Sequence, residues 1–183
     1  MKEFIKDLII AIVIVLAITM VIKPTIVKES SMEDTLFENN YLLVNKMAYK
    51  FKDHPNHGDI VVFKSEIENT EDGGKKLLIK RVIGVEGDTI TISDGEVYRN
   101  GELLDEPYVN IPGETYADQG IDVTNLVVPE DEVFCMGDNR EVSLDSRSPR
   151  VGTIAEKAIV GKAFVRLYPF NEIGSLSTYS EKD

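Results

Sequence analysis

The chain has one cysteine and no tryptophan among its 183 residues. A single thiol, Cys135, excludes an intramolecular disulfide, and its setting in Val133-Phe134-Cys135-Met136 reads as a small packed side chain on an apolar strand. Positive charge is also scarce: 20 Lys and Arg stand against 32 Asp and Glu, for a formal charge of −12. Residues 1–28 carry four lysines against Glu3 and Asp7, so residues 29–183 carry −14. So acidic a region is unsuited to nucleic acid, whose phosphates are bound by Lys and Arg, and its charge reads as a solubility feature. The two histidines, His54 and His57, lie in the turn-like His54-Pro55-Asn56-His57-Gly58. They do not supply the tight ligand set of a zinc site, and no metal is expected.

Long apolar runs occur once. Leu8 to Ile22 is apolar apart from Thr19, and counting from Phe4 to Ile22 gives a helix of roughly 28 Å, close to the hydrocarbon thickness of a bilayer. Lys6, Asp7 and Lys23 sit near its ends, and Pro24 is expected to stop it. A cleaved secretory signal has a similar apolar length, but Lys23-Pro24-Thr25-Ile26-Val27-Lys28 follows where small residues should mark a cleavage site. An uncleaved anchor is therefore the expectation. Lys2 and Lys6 on one side balance Lys23 and Lys28 on the other, so lysine counting does not orient it.

Helix-period patterns are scarce downstream of the anchor. The pattern is instead one of short runs rich in Val, Ile, Tyr and Phe between Gly, Asn, Asp and Pro clusters, which predicts a mostly β domain. Strands are expected over 41–46, 59–64, 77–83, 89–93, 133–136 and 158–168. Residues 96–104 read as a hairpin closed by Asn100-Gly101, a pair suited to the positive φ angles of a type I′ turn. Residues 65–76 read as a mobile loop or ribbon tip, 108–125 as a second long excursion, and the chain from Asn171 as a frayed tail. The expected division is an anchor over 1–28, a β domain over 29–170 and a tail over 171–183.

Lys80 lies in Leu77-Leu78-Ile79-Lys80-Arg81-Val82-Ile83, where strand alternation gives it apolar same-face neighbours, Leu78 and Val82. Burial disfavours the ammonium, at about 1.4 kcal/mol per pKa unit, and a neutral lysine accepts a proton. The plain alternative is an edge-strand lysine whose head reaches water. A base needs a nucleophile, and Ser31, in Glu29-Ser30-Ser31-Met32-Glu33-Asp34-Thr35-Leu36, follows the anchor by nine residues. Ser31, His57 and Asp59 are also the types of a serine-histidine-acid triad, against which stands the exposed turn around the histidines. Arg81 points to the face opposite Lys80 and needs an acid partner, which the segment 137–147 offers densely.

Ser31-Met32 with Thr35-Leu36, then Gly58-Asp59-Ile60-Val61-Val62-Phe63, then Lys80-Arg81-Val82-Ile83-Gly84-Val85-Glu86-Gly87-Asp88, then Gly137-Asp138-Asn139-Arg140 with Ser143 and Asp145-Ser146-Arg147, occur in this order behind the anchor. In this the chain resembles bacterial type I signal peptidase over about residues 1–168. The resemblance implies an antiparallel β fold with coiled sheets and a β-ribbon. It also implies a serine-lysine endopeptidase that removes signal peptides from exported preproteins on the outer face of the cytoplasmic membrane, with its N-terminus inside. On that mapping Ser31 is the nucleophile and Lys80 the general base. Ser143 orients the lysine, Arg81, Asp138, Asp145 and Arg147 form a supporting polar network, and the Ser31 backbone amide serves the oxyanion. No metal or organic cofactor is implied. The implied partners are signal peptides and membrane lipids, with the export machinery as a further candidate.

Two positions depart from the family pattern. Asp34 stands where the family usually has proline, removing a fixed φ from the turn after the nucleophile, and Glu29 stands where some members have an oxyanion hydroxyl, with Ser30 beside it as a substitute. They keep open a catalytically impaired, membrane-tethered binding or assembly module of the same fold. A repressor-type serine-lysine autoprotease has a similar β domain, but it would carry a DNA-binding helical region in place of this anchor.

Overall fold

The computed structural model describes residues 1–51, 53–68, 73–117 and 123–176. Helix α1 spans Lys2–Val21 and from Leu8 onward is apolar on all sides apart from Thr19, with a mean hydropathy of 2.6 over Glu3–Val21 and none of that stretch buried against the protein. Such a helix has no polar face to give to water, and it is long and apolar enough to cross a membrane. Its end differs from expectation. Ile22 is already extended, and Ile22–Ile26 forms strand β1, paired antiparallel with β2 (Tyr41–Asn45). Pro24 therefore lies inside an edge strand, where its missing N–H costs no ladder bond, and the apolar helix feeds directly into the sheet after Val21 rather than at residue 28.

The remaining strands are β3 (Ile60–Glu68), β4 (Lys75–Gly84), β5 (Thr89–Ser93), β6 (Glu96–Arg99), β7 (Glu102–Leu103), β8 (Leu126–Val127), β9 (Glu132–Met136), β10 (Ile154–Ala155), β11 (Ile159–Tyr168) and β12 (Gly174–Ser175). They form two antiparallel sheets. The larger runs β1-β2-β11-β3-β4-β9-β10 with β12 added on β11, and the smaller runs β7-β6-β5-β8. All six expected strands are present, each end within four residues of its expected place. The β6–β7 hairpin turns through Asn100 and Gly101 at φ of 56° and 83°, as the pair predicts.

Three apolar clusters fill the interior. Met32, Leu36, Leu42, Val44 and Val62 pack on one side of the large sheet, Val61, Phe63, Leu78, Val82 and Cys135 on the other, and Ile83, Ile90, Val97 and Phe134 join the two sheets. β3 and β4 continue as a two-stranded ribbon to the pair Glu68 and Lys75; the remainder of the expected loop, 69–72, lies outside the described residues. The described part of the second excursion is tied down rather than loose: Thr115 and Val123 are buried. The tail also departs from expectation, because Phe170–Glu172 forms a 3-10 turn and β12 pairs with β11; residues 177–183 lie outside the described set.

Candidate active site

Strand alternation on β4 sets the site. Lys80 lies opposite Val61 on β3, and Leu78 and Val82, on its own face, belong to the apolar cluster that also holds Cys135. The side chain is 1% exposed. Its Nζ is 2.7 Å from Ser31 Oγ and donates to the Ile79 carbonyl at 3.0 Å. Burial lowers the Lys80 pKa from its ordinary value, assisted by Lys76 and opposed by the fields of Asp145 and Glu29. Burial also pushes the Cys135 thiol up, so the sulfur next to this cluster is uncharged packing.

Ser31 is carried by the 3-10 turn Ser30–Met32, entered from extended Glu29. The apolar side chain of Met32 plugs the core and leaves Ser31, at 6% exposure, facing Lys80. The turn is fastened from behind by the loop after β9. Asn139 N donates to Ser31 O at 3.1 Å and Asn139 Nδ2 to Ser30 O at 3.3 Å. Gly137 makes the approach possible, since a Cβ there would collide with the Ser31 carbonyl oxygen and the Ser143 hydroxyl.

Arg81 turns to the opposite face, as alternation requires. Its guanidinium donates to both carboxylate oxygens of Asp138, at 2.9 and 2.7 Å, and to Gly58 O and Thr35 Oγ1. Tyr108 stacks on it, 4.0 Å from guanidinium carbon to ring centroid. Asp145, fully buried, accepts from Gly137 N at 3.0 Å and from Arg147 Nε and Nη2 at 2.9 Å each. Burial alone would raise the Asp145 pKa, but Arg147, Ser143 and the Gly137 amide together hold it below the usual carboxylate value. Arg147 also donates to Arg140 O at 2.8 Å, closing the loop on itself.

The expected contact between Ser143 and Lys80 is not formed. Ser143 Oγ is buried without a well-formed hydrogen bond among the described residues, lying beside Gly137 and close enough to Asp145 to favour its charge. The histidine alternative is not assembled either. His57 Nε2 is 2.6 Å from Asp88, His54 Nδ1 is 3.0 Å from Glu156, and Asp59 is taken by Tyr49 and Lys162. Among the described residues no three His, Cys, Asp or Glu side chains gather as a metal site would require.

Three contributors escaped the sequence reading: Asn139, which holds the Ser31 turn, Tyr108 on Arg81, and Arg140, bound to Glu106 and Thr115. Asn139 and Arg140 belong to the Gly137–Arg140 box, whose density was the available signal. Tyr108 and Glu106 had none, since only the path of the chain carries them to Arg81 and Arg140. Chemically, the centre is a hydroxyl against an amine whose charged form is disfavoured, the arrangement that activates a serine without histidine.

The sequence matches the model of the signal peptidase family, peptidase S26, over residues 1–168. It is 34% identical over 179 residues to a probable signal peptidase I-2 of Synechocystis sp., covering 97% of this chain and 78% of that protein. It is likewise 34% identical over 176 residues to signal peptidase I of Bacillus licheniformis, covering 93% of this chain and 90% of the other. A crystal structure of a signal peptidase I from Enterococcus faecalis V583 is similar at 28% identity and a TM-score of 0.46, covering 60% of this chain and 97% of that one. The chain belongs to the signal peptidase family, peptidase S26, and is a serine endopeptidase.

Proposed function

We propose that the protein is a membrane-anchored signal peptidase that cuts with a Ser31/Lys80 dyad. The single observation that carries this reading is the 2.7 Å approach of a buried, desolvated Lys80 amine to Ser31 Oγ. The supporting division of the chain is an anchor in α1, a catalytic domain from β1 onward and a short C-terminal extension. By family resemblance α1 is a single pass with the N-terminus inside and the catalytic domain outside, among membrane lipids and within reach of the export machinery.

An extended signal-peptide segment docks along β4, whose edge on the β9 side has no strand partner before Arg81 among the described residues. Lys80 takes the Ser31 proton as Oγ attacks the scissile carbonyl, and then gives it to the departing amine, leaving an acyl-enzyme on Ser31. Water enters, Lys80 takes its proton, the ester breaks, and the proton returns to Ser31. The Ser31 N–H lies in the first turn of a 3-10 helix, where amides lack an intrahelical partner, so it is the donor for the oxyanion, with Ser30 beside it. Glu29 supplies no donor there. Ser143, whose hydroxyl lies beside Asp145 without a well-formed hydrogen bond, is the group that holds Lys80 when the substrate draws Ser31 Oγ away. Asp138 with Arg81 and Asp145 with Arg147 fix the two loops on which Ser31 and Ser143 ride.

The test is preprotein cleavage by the full-length protein in detergent or lipid, with Ser31→Ala and Lys80→Ala as separate variants. Loss of cleavage with the fold kept supports the dyad, and an inactive parent supports the tethered module that has lost activity. Chelators and histidine-alkylating reagents are expected to leave the activity intact; strong inhibition by either overturns the serine-lysine assignment.

A further inference from the structure

Lys76 reaches out of its own ribbon. Its neighbour Lys75 pairs with Glu66 across the β3–β4 hairpin at 2.6 Å, which braces that hairpin alone. Lys76 instead forms an ion pair with Glu29, on the extended segment that leads into the Ser31 turn. Glu29 precedes the nucleophile by two residues, and Lys76 precedes the base by four, on the same face of β4 by strand alternation. The pair therefore joins the two walls of the site, at the edge where β4 has no strand partner toward β9 among the described residues.

We propose that Glu29 and Lys76 are a specificity-determining pair, which reads the charge of one side chain of the bound peptide upstream of the cut. The inference rests on Ser31 and Lys80 being the dyad. A peptide strand laid on the β4 edge sends alternate side chains to the Lys76 face, so one of them meets this pair. The two side chains are 41% and 38% exposed, and so open an ion pair is weak enough for a peptide group to compete for either member. Closed on itself, the pair offers no net charge, and the parent enzyme is indifferent to charge at the facing position. An unpaired Lys76 selects an acidic residue there, and an unpaired Glu29 a basic one. Their fields also reach Lys80 in opposite senses, that of Glu29 raising its pKa and that of Lys76 lowering it.

The experiment uses the full-length enzyme in detergent with signal-peptide-like fluorogenic peptides carrying Lys, Gln or Glu in turn at each position upstream of the cut. At one position Glu29→Gln is expected to shift the kcat/KM ratio of the Glu to the Lys peptide by roughly tenfold toward Glu, and Lys76→Gln by a similar factor toward Lys. The exchange Glu29→Lys with Lys76→Glu returns the ratio to that of the parent. Ratios unchanged at every position, or variants that alter all peptides alike, overturn the proposal while leaving the dyad standing. A parent that cleaves no peptide in a Ser31-dependent way overturns the dyad reading, and this inference with it.

Discussion

Lys80 Nζ meets Ser31 Oγ at 2.7 Å across 49 residues of sequence, and the lysine that makes this contact is among the largest fully buried side chains of the protein. A fold gains nothing in stability from such a lysine, because its charged form is disfavoured by burial. Ser31→Ala and Lys80→Met are each expected to lower cleavage by at least about a thousandfold, the scale of a lost nucleophile or base. Lys80→Met should melt higher than the parent at neutral pH. Quantitative cleavage assays and thermal melts of the same samples check both halves.

The lowered pKa of Lys80 fixes the sign of two pH dependences. On the proposed dyad cleavage needs the neutral amine, so kcat/KM is expected to rise with pH through the folded-state pKa of Lys80, which lies below its ordinary 10.5. Between those two values the folded chain binds fewer protons than the unfolded one. Lys80 therefore makes stability rise with pH across that window, by up to about 1.4 kcal/mol per pH unit, and it penalises the fold below the window. Denaturant titrations at stepped pH should show a slope shallower by that amount in Lys80→Met.

Arg147 and Asp145 form a buried pair whose partners cannot be removed singly. Asp145→Asn or Arg147→Ala should cost about 3–5 kcal/mol, the cost of leaving one buried charge uncompensated, with loss of cleavage. Arg147→Lys should rescue little, because a single ammonium cannot replace the fork that binds both carboxylate oxygens and Arg140 O. Urea denaturation paired with activity distinguishes the variants.

A Cβ on Gly137 would collide with both the Ser31 carbonyl oxygen and the Ser143 hydroxyl, so Gly137→Ala must move the Ser31 turn or the 143 loop. The expected outcome is a destabilisation of about 1–3 kcal/mol and a fall in kcat larger than the stability loss explains. Activity measured well below the melting temperature separates the two.

Asn139 fastens the Ser31 turn through its backbone and side chain. Asn139→Ala keeps the backbone bond and loses the ones to Ser30 O and from Asn110 Nδ2, and is expected to cost about 1–2 kcal/mol in stability while lowering kcat more than it changes KM. Steady-state kinetics on one preprotein reads the split.

The sequence by itself determined the local elements and singled out the serine and lysine that the fold brings together. Uniform apolarity gives α1, alternation gives the strands, Asn100-Gly101 closes its hairpin, and the Leu78-Lys80-Val82 spacing already puts the lysine among apolar neighbours and Arg81 on the other face. These are properties of one segment and its period. Tertiary structure alone decided what meets what. It converted the segment around Pro24 into an edge strand, ordered the chain after Asn171 through β12, brought Tyr108 to Arg81, and left Ser143 beside Asp145 instead of on Lys80. Such contacts depend on how distant segments fill one shared volume, and no period within a single segment encodes them.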